Sequence, residues 1–154
     1  MNGFLGEYEV TMDVKGRFLL PAAFKKQLAE EDANQFVVNR GIEECLTLFP
    51  VKVWEPIFST VGKLNGFDPK VRDFQRNFLN GATQLELDSA GRLLIPRNLI
   101  EYAGLEKDVV LAPLFDRIEI WDKNKHKKFF ESSSREAYSK LAAEVMAKKP
   151  EGIS

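Results

Sequence analysis

The chain has 154 residues, 44% of them apolar and 29% charged, with 22 basic and 23 acidic side chains and a formal charge of −1. That length makes one ordinary domain, or two halves so small that each would bury only about 60% of its unfolded surface and would need to share a core. The charge balance excludes a global basic footprint for indiscriminate nucleic-acid binding, and a lone cysteine, Cys45, excludes an internal disulfide and fits a reducing compartment.

The first predicted element is a half-buried strand, because Tyr8, Val10 and Met12 alternate with Glu7, Glu9 and Thr11. It enters Asp13-Val14-Lys15-Gly16-Arg17. Asp first and Gly fourth is the signature of a type I turn, with Asp capping it and Gly in the next, left-handed position. Phe18-Leu19-Leu20 leaves as a returning strand, so the unit reads as a hairpin with Arg17 at its tip. Pro21 stops that strand and opens a helix over 22 to about 31, on which Phe24 and Leu28 lie one turn apart. Strands at Phe36-Val37-Val38 and Leu46-Thr47-Leu48-Phe49 follow. A helix then begins at Pro50, which Pro56 limits to an early turn or a kink. Asp68 caps another, with Pro69 at its first position and an apolar stripe of Val71, Phe74 and Phe78, and Asn80-Gly81 ends it.

From there the chain repeats itself. Asp88-Ser89-Ala90-Gly91-Arg92-Leu93-Leu94-Ile95-Pro96 restates residues 13–21 at a spacing of 75, keeping Asp, Gly, Arg, one Leu and Pro in register. Leu85 and Leu87 enter it as Val10 and Met12 enter the first copy. Leu99 and Ala103 take the places of Phe24 and Leu28, and Gly104 supplies a helix C-cap. The first loop, residues 30–34, is longer, so the spacing falls to 72. Phe36-Val37-Val38 then matches Asp108-Val109-Val110, and Leu46–Phe49 matches Ile118–Trp121. A period carrying both special residues and apolar pattern marks a duplicated unit. Residues 1–77 and 78–154 are the predicted halves, packed as one compact body. The end of the chain reads as a basic helix start from Lys123 to Lys128, then a helix over 134 to about 148 with Ser133 and Glu136 as a capping box. Tyr138, Leu141, Val145 and Met146 make its stripe, and 150–154 should fray.

Two Asp-x-x-Gly-Arg-x-x-x-Pro segments in a chain of this length resemble the MraZ family of bacterial regulators from the division and cell-wall gene cluster. The opening Gly3-Phe4-Leu5-Gly6-Glu7-Tyr8 and the stretch Asp116-Arg117-Ile118-Glu119-Ile120-Trp121-Asp122 are also similar to that family. The resemblance implies an α+β fold: a duplicated AbrB-like swapped-hairpin β-barrel of two β-α-β-β halves about a pseudo-two-fold, with peripheral helices. It further implies a ring-shaped homo-oligomer, cytoplasmic and associated with the nucleoid, that binds short tandem repeats of double-stranded DNA upstream of its own operon. No catalysis, cofactor, metal, membrane or small-molecule substrate belongs to that expectation. The absence of a long apolar run and of a signal-peptide pattern agrees with it.

The DNA-binding expectation falls on Arg17 and Arg92, with Lys15 as a phosphate contact and Lys25, Lys26 and Arg97 as secondary ones. Asp13, Gly16, Asp88 and Gly91 are the turn formers. A guanidinium at a tip reaches phosphate or guanine with two parallel bonds; the bland reading is a surface ion pair with its own Asp, worth ~0–1 kcal/mol. Both hold if Asp orients Arg. Because Lys15 is matched by Ala90, the first tip is expected to be the stronger anion contact. One tip alone binds weakly, at ~10⁻⁴–10⁻⁶ M, whereas several tips on one ring gain about 10²–10⁴-fold by effective concentration. Two aspartates about a dyad also suggest an aspartic-protease arrangement, but an Arg four residues beyond each favours the charged form, which opposes a shared proton. An antitoxin-like or scaffold module is the other competing class, and the duplicated unit argues against it. His126 among lysines reads as solvated, Cys45 as a half-buried thiol, and Trp54 and Trp121 as core or subunit-interface packing.

Overall fold

The computed structural model describes residues 3–28 and 34–148. In chain order the elements are β1 (Tyr8–Thr11), β2 (Arg17–Leu19), α1 (Ala22–Gln27), β3 (Gln35–Arg40), β4 (Leu46–Pro50), α2 (Val51–Gly62) and α3 (Pro69–Leu79). The second half follows with β5 (Thr83–Glu86), β6 (Arg92–Leu94), α4 (Arg97–Ala103), β7 (Asp108–Leu114), β8 (Arg117–Asp122), α5 (Lys123–Glu131) and α6 (Arg135–Met146). The fold is thus α+β with an antiparallel sheet. Contacts divide it into two units, Met1–Lys123 and Asn124–Ser154. None of its helices is long and apolar enough to cross a membrane, among the described residues.

Six strands form one sheet in the order β1-β7-β8-β4-β3-β5, and β2 and β6 form a separate two-stranded ribbon. The sheet is open, with β1 and β5 at its edges. Replacing every strand by its counterpart in the other half returns the same order reversed. Registers obey the same exchange: Phe18 faces Leu93 at the centre of the ribbon, and Thr47 faces Glu119 at the centre of the sheet.

The expected hairpin does not pair with itself. Asp13 N–H donates to Arg17 O at 2.8 Å and closes the turn, but β1 then pairs with β7 and β2 with β6, both from the other half. The physical reason is visible in the cross-links beyond each turn: Leu20 N–H donates to Gly91 O and Ile95 N–H to Gly16 O, at 3.1 and 2.9 Å. Each half lends its strands to the other, which satisfies backbone groups that neither half could satisfy alone.

Inward-facing side chains of the sheet, among them Phe36, Val38, Leu48, Val109, Leu111 and Ile118, pack with Phe18 and Leu93 of the ribbon and with Phe24 of α1 and Leu99 of α4 in one core. This corrects the expected strand alignment. At a spacing of 72, buried Phe36 would correspond to exposed Asp108, and a one-residue slip reverses every face. Phe36 faces Leu85 as Val109 faces Val10, so β3 and β7 are related by 73, while β4 and β8 keep 72.

Other boundaries moved for local reasons. Helix α2 runs through Pro56 without ending. The missing hydrogen bond costs about 3 kcal/mol in a helix interior, and α2 offsets it by packing Trp54, Val53 and Ile57 against Val37, Phe49 and Phe78. Trp54 and Phe78 stack with centroids 5.2 Å apart and planes 4° from parallel. Helix α1 ends at Gln27, and residues 29–33 of the expected longer helix and loop lie outside the described residues, as does the terminal 150–154. Pro21 and Pro96 occupy the N-cap position, one residue ahead of the expected place. In the second unit the cap of α6 is Ser134, whose hydroxyl accepts from Ala137 N–H at 3.0 Å, so the capping box expected from Ser133 does not form. The stripe of α6 is solvent-facing: Tyr138, Leu141, Val145 and Met146 are all exposed.

Candidate nucleic-acid interface

The ribbon places the two repeated motifs side by side. In each, one carboxylate oxygen accepts two backbone N–H groups: Asp13 from Lys15 and Arg17 at 3.0 and 2.9 Å, Asp88 from Ala90 and Arg92 at 2.9 and 2.8 Å. The fourth residue must be glycine. Gly16 and Gly91 carry φ of 91° and 79°, a conformation that a side chain strains.

The second carboxylate oxygen takes the arginine. Arg17 Nε donates to Asp13 at 2.8 Å and Arg92 Nε to Asp88 at 2.9 Å. These bonds hold both aspartates below the usual carboxylate range, with the backbone N–H of each arginine the largest cause and its side chain a further one. Both carboxylates are therefore ionised at neutral pH, the opposite of a proton-sharing acid pair. Each arginine side chain is only partly exposed, 28% for Arg17 and 35% for Arg92. Among the described residues its two terminal nitrogens have no hydrogen-bond partner. Asp fixes the stem through Nε and leaves the end-on fork available.

Strand alternation settles which way the forks face. On β2 and β6, Phe18 and Leu93 point into the core, so Arg17, Leu19, Arg92 and Leu94 share the outer face. Leu19 and Leu94 are 58% and 53% exposed. The arginines are diagonal neighbours across the ribbon, Arg17 facing Leu94 and Leu19 facing Arg92. Such diagonal positions lie roughly 7–8 Å apart. The expected tip arginines are therefore one paired feature on a two-stranded ribbon, flanked by two leucines that sequence reasoning passed over. Their signal was present, since any residue two from Arg on a strand shares its face.

The expected cations divide. Lys15 is exposed on the first turn. Lys25, half-buried on α1, reaches across to the other half: its Nζ lies 2.5 Å from where a Cβ on Gly91 would stand. Lys26 and Arg97 are exposed on α1 and at the start of α4, and no hydrogen bond or ion pair among the described residues ties them to the ribbon. Trp54 and Trp121 are buried, which removes them as base-stacking platforms.

Cys45 is fully buried, not half-buried as its sequence setting suggests. Glu43, Cys45 and Glu119 are gathered within reach of one ion, but the chemistry of the group is that of a protonated thiol. Burial first, and then the charges of Glu119 and Glu43, push the thiol pKa up. Its Sγ donates to Glu119 Oε2 at 3.9 Å, and Glu119 Oε1 accepts Trp121 Nε1–H at 3.1 Å. A metal ligand would have to be the thiolate.

Comparison with known proteins matches both halves separately. The family model described as "MraZ protein", with an antitoxin-like label, matches residues 4–77 and again 78–148. The chain is 43% identical over 147 residues to Transcriptional regulator MraZ of Cytophaga hutchinsonii, covering 96% of this chain and 97% of that one. It is 42% identical to the protein of the same name from Christiangramia forsetii, covering 95% and 94%. To that of Acetivibrio thermocellus it is 39% identical over 144 residues, covering 94% and 96%. A repeated family match and end-to-end identity agree with the duplicated motif and its exchanged strands: the chain belongs to the MraZ family.

Proposed function

We propose that the chain is a sequence-specific DNA-binding transcription regulator, not an enzyme, and that the β2–β6 ribbon reads the DNA. The observation that carries this is the pair of aspartate-held guanidinium forks on one outward face. B-DNA's major groove admits a two-stranded β-ribbon, and an end-on arginine fork matches O6 and N7 of guanine. Orientation by Asp removes part of the conformational entropy otherwise lost on binding. Diagonal spacing of ~7–8 Å corresponds to about two base-pair steps at 3.4 Å each, so both arginines fit one groove. Arg17 and Arg92 would read bases, with Lys15 on a backbone phosphate and Lys26 and Arg97 as peripheral phosphate contacts.

The exchanged pairing of β1 with β7 and β2 with β6 supports a swapped-hairpin, AbrB-like arrangement of two repeats, 1–77 and 78–154, with the ribbon and the sheet on either side of one core. The family resemblance implies a homo-oligomeric ring, and the charge argument supports several ribbons acting together. One ribbon with few cations in a chain of net charge −1 binds weakly, and several ribbons on tandem promoter repeats gain through effective concentration. In this reading the protein acts in the cytoplasm, associated with the nucleoid, on repeats upstream of its own division and cell-wall operon.

The test is equilibrium binding to a duplex from upstream of its own gene, against a scrambled duplex, over a salt series, with Arg17→Ala alongside. Selective binding that weakens with salt and collapses in Arg17→Ala is the expected result. Selective binding that survives both Arg17→Ala and Arg92→Ala would remove the ribbon as the reader. No preference for the upstream duplex at any salt would leave a scaffold for a protein partner.

A further inference from the structure

The two motifs differ in sequence in a way that the fold offsets. The first turn has Lys15 where the second has Ala90, which makes the first look the more cationic. Position 25 on α1 is matched by position 100 on α4, and there the residues are Lys25 and Ile100. Because the halves exchange strands, each of these side chains lies against the turn of the opposite half. Ile100 Cδ1 stands 2.8 Å from where a Cβ on Gly16 would be, and Lys25 Nζ stands 2.5 Å from the corresponding point on Gly91. The first turn therefore carries Lys15 and is backed by an apolar group. The second lacks its own lysine and is backed by an ammonium.

We propose that Lys25 supplies to the second turn, across the pseudo-dyad, the phosphate contact that Lys15 supplies to the first. Each motif then presents the same set of charges: one aspartate, one oriented arginine and one lysine. The ribbon meets the two flanking phosphate backbones with equal charge although its sequence is asymmetric. The inference rests on the DNA reading of the ribbon. It stands against the expectation that the first turn dominates, and it assigns Lys25 to the turn of Gly91 rather than to the motif just before it in sequence.

Salt dependence isolates the contact, because each phosphate neutralised contributes about −0.9 to the slope of log affinity against log salt. The probe is the upstream duplex, and the variants are made in the full chain with folding checked by circular dichroism. Lys15→Ala and Lys25→Ile copy onto each motif the residue its partner already has. Each should reduce the slope by about 0.9 per bound chain, and Lys25→Gln should match Lys25→Ile. Adding Ala90→Lys to Lys25→Ile returns a cation to the second turn and should restore the slope. A lysine that serves only to pack against Gly91 would not be rescued in this way. An unchanged slope in both Lys25 variants, with Lys15→Ala reduced, would overturn the proposal. Selective binding retained when both arginines are replaced would sink the ribbon reading itself, and that outcome is separate because it does not depend on either lysine.

Discussion

Leu93 and Leu94 are adjacent, chemically identical, and placed by the ribbon on opposite faces. Leu93 is fully buried against Phe18 at the pseudo-dyad, and Leu94 is 53% exposed beside Arg17. Truncating Leu93 to Ala removes buried methyl groups and leaves a cavity between two elements that come from different halves. Such changes cost about 2–5 kcal/mol, and the upper part of that range applies because the ribbon is tied to both turns and collapses poorly. In a chain of this size each kcal/mol lowers Tm by about 2–4 °C, so Leu93→Ala should melt roughly 7–20 °C lower. Leu94→Ala removes the same atoms from a surface, where changes stay within about 0.5 kcal/mol, and its Tm should move by no more than ~2 °C. Thermal melts followed by far-ultraviolet circular dichroism, with urea midpoints as a check, measure both. Equal destabilisation by the two substitutions, or a larger effect from Leu94→Ala, would refute the assignment of faces. The outward direction of Arg17 and Arg92 would fall with it, since a one-residue slip turns the arginines inward.

Three further outcomes follow from the same geometry. Asp13 and Asp88 have folded pKa values below their unfolded values, so their contribution is present above about pH 3.9 and is lost as the pH falls through the lower folded values. Carbon-detected titration should place both carboxylates below the value of an aspartate in the unfolded chain, and Asp13→Asn should flatten the acid limb of the stability curve. Cys45, buried and with a raised thiol pKa, should resist a thiol reagent at pH 8 in the native chain and react at the rate of unfolding; fast labelling would contradict the burial. Trp54→Ala should cost about 3–5 kcal/mol, whereas Phe58→Ala, at a half-exposed site on the same helix, should cost far less in a parallel urea melt.

The duplicated motif made most of this fold legible in the sequence, because its residues are required locally. Asp at the first place and Gly at the fourth answer to two backbone N–H groups and a positive φ, and those demands leave the same trace wherever the turn occurs. Helix ends written in one residue, such as the Asp68 cap with Pro69 behind it, were equally readable. Strand pairing left no such trace. An alternating strand followed by a turn and a second strand fits a hairpin closed on itself as well as one shared with another half; what decides is the packing of Phe18 against Leu93 from 75 residues away. The shift from 73 to 72 between successive strands was also invisible, since Val37 and Val38 are alike until one of them meets the core. Pro56 allowed an early end as well as a kink on local propensity, and the early end lost because Trp54, Val53 and Ile57 gave α2 a buried face that outweighs one lost hydrogen bond.

Exchange of strands also answers the charge problem that the composition poses. A chain of net charge −1 cannot attract DNA by its overall field, so affinity has to come from where the cations sit. The ribbon sets Arg17 and Arg92 on neighbouring strands, each just past its own turn, and the same crossing carries α1 to the far turn, where Lys25 meets Gly91. Each aspartate lowers the net charge of this face, yet it is spent on Nε and backbone N–H groups, which leaves the arginine forks free to face outward. Charge is thereby exchanged for orientation. Under the proposed reading, a face built in this way gains more in selectivity than in bulk attraction, because a rigid fork discriminates among base edges by about 1–3 kcal/mol per pair, while a loose cation discriminates not at all.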